Sequence, residues 1–158
     1  MLKSKTILTN AYEFKKRFNS FSEKIESPFR INEITFDYGE EQNTSTIILT
    51  DLIAINLIIN IDDNSIREIV VVAQGDGSKK SGYDILLTIG TVISITNQHL
   101  DESGRAKVLS ELGLTKGLPK KATHKTVGNI RYTLSHSKDI AIVFTANNKK
   151  DLYTKTST

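Results

Sequence analysis

The chain has 158 residues, of which 38% are hydrophobic and 25% are charged, and its formal net charge is +3. This length suits one domain with a substantial core, and the composition excludes wholesale disorder. There is no cysteine, which excludes disulfide bonds, thiolate metal sites and a cysteine nucleophile. The apolar stretches are far shorter than the roughly 20 residues that span a bilayer.

The charges are unevenly distributed along the chain. Residues 1–30 carry seven basic and three acidic side chains, residues 31–78 carry one and nine, and residues 79–158 carry thirteen and six. This asymmetry indicates two surfaces of opposite sign, self-complementary packing between segments, or separate solvated faces.

The first predicted element is a helix from about 10 to 20, preceded by a flexible N terminus over 1–9. Asn10 is a suitable N-cap with Glu13 at the third helical position, and Phe14 and Phe18 share one helical face.

Four predicted strands follow, at 31–38, 44–50, 52–61 and 66–74. In the first, Ile34, Phe36 and Tyr38 alternate with polar residues. In 52–61 a fully apolar face alternates with a mixed face that includes Asn56 and Asn60. This pattern is typical of an antiparallel sheet that is covered on one side only.

Residues 81–98 are ambiguous between a helix and two strands. The β-branched residues and Gly90 favour strands, but the length and the capping-box spacing of Ser81 and Asp84 favour a helix, so we predict a helix here. A clearer helix begins after Asp101 and ends at Gly113.

The last part of the chain is predicted to contain a basic loop over 115–126, strands over 127–137 and 140–146, and a frayed tail over 147–158. The sequence therefore predicts one α+β domain over 10–146. We expect an antiparallel sheet of about six strands with helices packed on one face, in the order α-β-β-β-β-α-α-β-β.

The glycine-rich segment "QGDGSKKS" (74–81) lies between a predicted strand and a predicted helix. Neither the phosphate-loop pattern nor the dinucleotide pattern is complete, because Gln74, Lys79 and Lys80 stand where glycines are required. The segment is interpreted as a strand-to-helix connection with Ser81 as the N-cap. The alternative is an anion site at the helix N terminus, which would use Gly75, Gly77, Lys79, Lys80 and Ser81.

No catalytic or metal-binding pattern is found in the sequence. The three histidines lack metal-ligand spacing, no G-x-S-x-G segment is present, and the adjacent acids occur in predicted turns. We therefore predict no catalytic residue, no metal and no cofactor, and hence a protein that is not an enzyme.

Two regions are predicted to bind a protein partner. One is the mixed face of the strand at 52–61, represented by Asn56 and Asn60. The other is the basic loop, represented by Lys116, Lys120, Lys121 and Lys125. Lysines predominate there and no nucleic-acid-binding motif occurs, so an acidic protein is favoured over nucleic acid. The alternative is a solvated basic loop without a partner.

The segments "GDGSKKSGYDILLTIGTVISITN", "LDESGRAKVLSELGL" and "KTVGNIRYTLSHSKDIAIVFTA" resemble the soluble domains of small, uncharacterised lipoproteins of Gram-positive bacteria. The resemblance covers residues 75–146 and includes Ser81, Gly82, Arg105, Val108, Leu109, Leu112, Gly113 and Leu114. It implies an extracytoplasmic location and no known activity. The chain departs from that family in lacking the anchor cysteine, which would lie upstream in such proteins.

The leading hypothesis is a non-enzymatic protein-binding module, the extracytoplasmic domain of a bacterial surface lipoprotein whose export signal has been removed. One alternative is a cytoplasmic inhibitor or immunity-type protein whose acidic part, 31–78, blocks a basic target. Another is an enzyme or anion-binding protein that uses the 75–81 loop. Self-association stays open.

Overall fold

The computed structural model describes residues 5–115, 117–137 and 141–151. In this part of the chain, three helices and six strands follow one another as α1 Ala11–Lys24, β1 Gln42–Thr50, β2 Ile53–Asn60, β3 Ile66–Gln74, α2 Lys79–Thr96, α3 Glu102–Leu112, β4 Thr123–Val127, β5 Ile130–His136 and β6 Ala141–Asn148. The strands form one antiparallel sheet in the order β1-β2-β3-β6-β5-β4. The predicted α+β class with a six-stranded antiparallel sheet is confirmed.

The helix ends follow the predicted capping chemistry at α1 and α3. Asn10 accepts a hydrogen bond from the backbone N–H of Glu13 at 2.9 Å, and Asp101 accepts one from Gly104 at 2.7 Å. Gly113 ends α3 with a φ of +95°, a conformation that glycine adopts without strain.

The helix predicted over 81–98 is confirmed as α2, which begins at Lys79 and ends at Thr96. The hydroxyls of Thr88, Thr91 and Thr96 donate to carbonyls one turn earlier, so the polar atoms of these β-branched residues are satisfied within α2. The predicted N-cap is wrong: Ser78, not Ser81, caps α2, because the Ser78 hydroxyl accepts from the backbone N–H of Ser81 at 3.1 Å.

The core lies between the helices and one face of the sheet. Large side chains that are fully buried there come from both layers, among them Phe14, Phe18, Leu57, Ile89, Tyr132 and Phe144. The Tyr132 and Phe144 rings stack at 5.7 Å. Each such burial contributes roughly 1.5–3 kcal/mol. The described helices pack on this face, as predicted.

The predicted order of elements is wrong at two places. Residues 31–38 form no strand, because their only ladder contact is an isolated bridge between Asp37 and Thr44. Conversely, part of the predicted basic loop is β4. It pairs with β5 through a tight turn in which Gly128 has a φ of +59°. The observed order is therefore α-β-β-β-α-α-β-β-β.

Both predicted termini are too long. Leu8 is buried and bridges to Ile66, so the flexible N terminus does not extend over residues 6–8. β6 continues to Asn148, and Asp151 is 2% exposed with two bonds of 2.8 Å from Arg67. The tail is therefore not frayed over 147–151, and the predictions for 1–4 and 152–158 lie outside the described residues.

The sheet consists of two three-stranded meanders that meet through β3 and β6. β1 and β4 are consequently its two edges. None of the described helices is long and apolar enough to cross a membrane.

Candidate binding surfaces

The two edges of the sheet are built differently. β4 has only five residues and includes His124 and Lys125. Short length and charged side chains are devices by which proteins prevent further strands from pairing with an edge. β1 is nine residues long and contains neither a charged residue nor a proline. β1 therefore lacks the protection that β4 has.

The free side of β1 is open next to Thr44. Thr44 exchanges two backbone hydrogen bonds with Asp37, of 2.8 and 2.9 Å, so its N–H and C=O point away from β2. Since alternate residues of a strand point the same way, the backbone groups of Thr46 and Ile48 also point outward. No strand of the described chain pairs with them there. We call Thr46–Ile48 the open edge.

An apolar row begins at the open edge and crosses the face of the sheet opposite the helices. Ile48 is 67% exposed and is paired with Ala54, which is paired with Val72, and Val72 in turn with Val143. A shallow depression of about 460 Å³ lies along this row. Apolar side chains from another chain would find complementary contacts here.

Acidic side chains lie at both ends of β1. Asp37, Glu40 and Glu41 precede the strand and Asp51 follows it, and all four are exposed. No basic residue occurs between Ile31 and Ile66. The open edge is therefore flanked by negative charge, which attracts cationic partners over a distance of about one Debye length.

Three aromatic side chains form a pocket between the start of α1 and the segment that precedes β1. The Phe36 ring lies 5.9 Å from the Tyr12 ring and 6.2 Å from the Tyr38 ring. Tyr12 is 62% exposed and Tyr38 is 80% exposed. This aromatic pocket has a volume of about 310 Å³ and is lined by Asn10, Ala11, Tyr12, Phe36, Tyr38, Asn43 and Asn64.

The two asparagines predicted as partner-binding residues have different environments. Asn56 lies on the face opposite the helices, next to the apolar row, and accepts a hydrogen bond of 2.7 Å from the Thr46 hydroxyl. Asn60 is buried, and its amide donates to the Ser65 hydroxyl at 2.9 Å. Asn60 thus stabilises the β2–β3 turn, and its burial argues against a binding role.

The predicted basic surface is divided by the fold. Lys125 lies 2.6 Å from the Glu111 carboxylate of α3, and this hydrogen bond lowers the pKa of Glu111. Lys120 and Lys121 are exposed just before β4. Lys116 lies outside the described residues. Lys120 and Lys121 are therefore adjacent and exposed, whereas Lys125 is paired with Glu111 of the same chain.

Two carboxylates of the chain, Asp76 and Asp84, lie at the place of the alternative anion site. Asp76 accepts the backbone N–H of Ser78 at 2.9 Å, and hydrogen bonds, first that of the Ser78 side chain, lower its pKa from 3.8 to about 2. Lys80 lies 2.6 Å from Asp84. Gly75 and Gly77 lie in the loop before α2, and Lys79, Lys80 and Ser81 form the first turn of that helix. The negative charges of Asp76 and Asp84 argue against an anion site there.

The buried Tyr132 hydroxyl has a structural role at the end of α2. The buried Tyr132 hydroxyl bonds to the Thr96 hydroxyl and to the Asn97 amide at the end of α2, and burial raises the pKa of Tyr132.

In the described residues there is no group of three His, Asp or Glu side chains that could hold a metal ion.

Sequence reasoning missed the open edge and the aromatic pocket. The nine uncharged residues of β1 are a signal for an unprotected edge, provided that the strand is known to be at the edge. Tyr12 meets Phe36 only through the packing of α1, and no local pattern records that contact. Comparison with known proteins finds no matching family model, no matching curated protein and no matching solved structure.

Proposed function

We propose that the chain is a non-enzymatic protein-binding module that accepts an extended segment of a partner as an added strand on β1. The observation that carries the proposal is the contrast between the two sheet edges: β4 is short and charged, whereas β1 is long, uncharged and open at Thr46 and Ile48. Strand addition is a common mode of peptide recognition in which backbone hydrogen bonds provide the affinity.

The chemistry of the flanking residues defines the partner segment. Its centre is apolar or β-branched, since its alternate side chains would pack beside Ile48 and the apolar row. Its ends are basic, since Asp37 and Asp51 lie at the two ends of the open edge. This requirement favours the basic target of the inhibitor alternative over the acidic partner expected for the lysine-rich loop.

A second copy of the chain fits this edge less well. In a two-fold antiparallel pair centred on Ile47, Thr50 of one copy would be opposite Thr44 of the other, where Asp37 is already bonded. Asp51 of each copy would then approach Asp37 of its neighbour. Two like-charge contacts would result, so a partner with basic ends is favoured.

The test uses the probe peptide acetyl-Arg-Thr-Val-Thr-Val-Arg-amide and two variants at one position. Proline in Ile48→Pro removes the outward N–H and blocks pairing, and edge strands tolerate proline there because the β1–β2 ladder does not use this group. Ile48→Thr keeps the N–H and loses only apolar surface. We expect Ile48→Pro to bind the probe at least about tenfold more weakly, and Ile48→Thr to stay within about threefold of the wild type, by isothermal titration.

Folding is checked by thermal denaturation of both variants, and Thr46→Pro repeats the test at the neighbouring outward N–H. Equal binding of the probe by the wild type and both proline variants would refute strand addition. Equal losses in Ile48→Pro and Ile48→Thr would instead assign binding to the side chain and also refute it.

The inhibitor alternative is favoured by one observation, the exposed acids around β1. It predicts that the natural partner is a basic enzyme that loses activity when the chain binds, and that Ile48→Pro restores the activity. The extracytoplasmic location rests on the resemblance of residues 75–146 alone. Fractionation of source cells with an antibody to the chain would test it, and recovery in the cytosol would refute it.

A further inference from the structure

We infer that the aromatic pocket of Tyr12, Phe36 and Tyr38 receives the cationic side chain of a lysine or arginine from a protein partner. The inference deepens the proposed function, because it identifies a basic residue of the partner by the group that would hold it.

The pocket has exposed aromatic surface that the fold itself does not cover. The Tyr12 and Phe36 rings are inclined by 61°, and those of Phe36 and Tyr38 by 31°, so the three rings border a concave space. Its volume of about 310 Å³ is at the lower end for ligand sites, which suits a single side chain. Tyrosines in such positions are frequent anchors of protein interfaces.

The surrounding charge selects a cation for this space. Asp37, Glu40 and Glu41 lie in the same segment as the two aromatic residues, and Asp62 is in the turn that contributes Asn64 to the lining. Ring faces attract ammonium and guanidinium groups, and nearby carboxylates add to this attraction. A neutral sugar could also stack on the rings, but it carries no positive charge to complement the acids.

Lys15, three residues after Tyr12, has a hydrogen-bond partner of its own. The Lys15 ammonium donates to the carbonyl of Asn32 at 2.8 Å. Asn43, which lines the pocket, accepts the backbone N–H of Gly39 at 3.2 Å and thereby holds the turn after Tyr38 against β1. The cation-attracting surface is thus fixed by the chain's own hydrogen bonds.

The pocket also lies beside the open edge. Tyr38 follows Asp37, which bonds to Thr44, two positions before Thr46. A segment added along Thr46–Ile48 would reach Asp37 at one end, and its next side chain would be near the aromatic rings. One partner segment therefore engages both surfaces.

The experiment uses two probes that are too short to form a strand: acetyl-Arg-Arg-amide and the matching dipeptide with citrulline, which has the shape of arginine without its charge. Binding is followed by the ¹⁵N–¹H chemical shifts of residues 36–43. We expect the arginine probe to bind about fivefold more tightly than the citrulline probe, the ratio of a cation–π contact of about 1 kcal/mol.

Tyr38→Leu removes the ring and retains apolar area, and should reduce the preference for arginine. The matched control is Tyr83→Leu, because Tyr83 is 62% exposed on α2 and should not affect the probe. Glu40→Gln with Glu41→Gln should weaken arginine binding, whereas the same change at the exposed Glu23 and Glu102 should have a smaller effect.

Equal binding of both dipeptides, or an arginine preference that Tyr38→Leu leaves intact, would overturn the inference. Tighter binding of a neutral disaccharide such as maltose at the same residues would also overturn it. Ile48→Pro should bind the dipeptides normally, so a failure of strand addition is distinguishable from a failure of the aromatic pocket.

Discussion

Replacing Asp151 by asparagine removes one charge of a buried ion pair while keeping the size of the side chain. Asp151 is 2% exposed, and its two carboxylate oxygens each accept a bond of 2.8 Å from Arg67, which is 14% exposed. The Lys5 ammonium is 4.0 Å away, and Arg131 donates to the Asp151 carbonyl. The pair ties the chain after β6 to β3.

The cost of this change can be estimated from the burial of the pair. Removal of one partner of a buried pair costs about 3–5 kcal/mol, because the other charge is left without compensation. Asparagine keeps one acceptor for Arg67, so we expect the lower end of this range, about 3 kcal/mol. For a chain of this size, such a loss lowers Tm by about 6–12 °C.

The assay is urea denaturation of the wild type, Asp151→Asn and the control Asp62→Asn. Asp62 is an exposed turn residue, and its replacement should change the free energy of unfolding by less than about 0.5 kcal/mol. The double variant Arg67→Met with Asp151→Leu should recover part of the loss, because no unpaired charge is buried. If Asp151→Asn is as stable as Asp62→Asn, the reasoning is refuted.

The remaining predictions concern hydrogen-bonded polar groups. Tyr132→Phe removes the hydroxyl that bonds to the end of α2, and should cost about 1–3 kcal/mol in urea denaturation. Because burial raises the pKa of Tyr132 above 10.0, the wild type should lose stability as the pH rises above 10.0, and this part of the loss should be missing in the variant. Ser78→Ala should raise the pKa of Asp76 from about 2 toward 3.8, as followed by NMR titration. The stability that the low pKa provides is present above pH 3.8 and is lost as the pH falls toward about 2, so the variant should show less of this dependence. Lys125→Gln should raise the pKa of Glu111, and an unchanged titration of Glu111 would contradict the ion pair.

The sequence predicts the elements whose stabilising contacts are local. Asn10, Asp101 and Gly113 mark helix ends correctly, because a cap involves residues within one turn. The strands at 52–61 and 66–74 are recognised by their alternation and by the turn between them. Prediction is poorer where the partner is distant in the chain. Residues 31–38 alternate like a strand, yet only Asp37 forms a β-bridge.

The candidate surfaces depend still more on tertiary contacts. The residues of β4 are mostly polar, so the sequence alone predicts a loop there. The segment is recognised as a strand only from its pairing with β5. The open edge can be recognised only when β1 is known to have one neighbour. Conversely, Asn60 and Lys125 look like accessible polar groups in the sequence, but the Ser65 hydroxyl and the Glu111 carboxylate bind them in the fold.

The junction of the two meanders has a consequence for folding kinetics. Each meander consists of strands that are neighbours in sequence, so its contacts close short loops. The pairing of β3 with β6 instead joins Gln74 to Ala141 across both α2 and α3. Closing so long a loop costs more chain entropy, and such non-local pairing slows folding. We therefore expect the seam between β3 and β6 to set the folding rate, so that the two halves of the sheet form before the molecule acquires its continuous core.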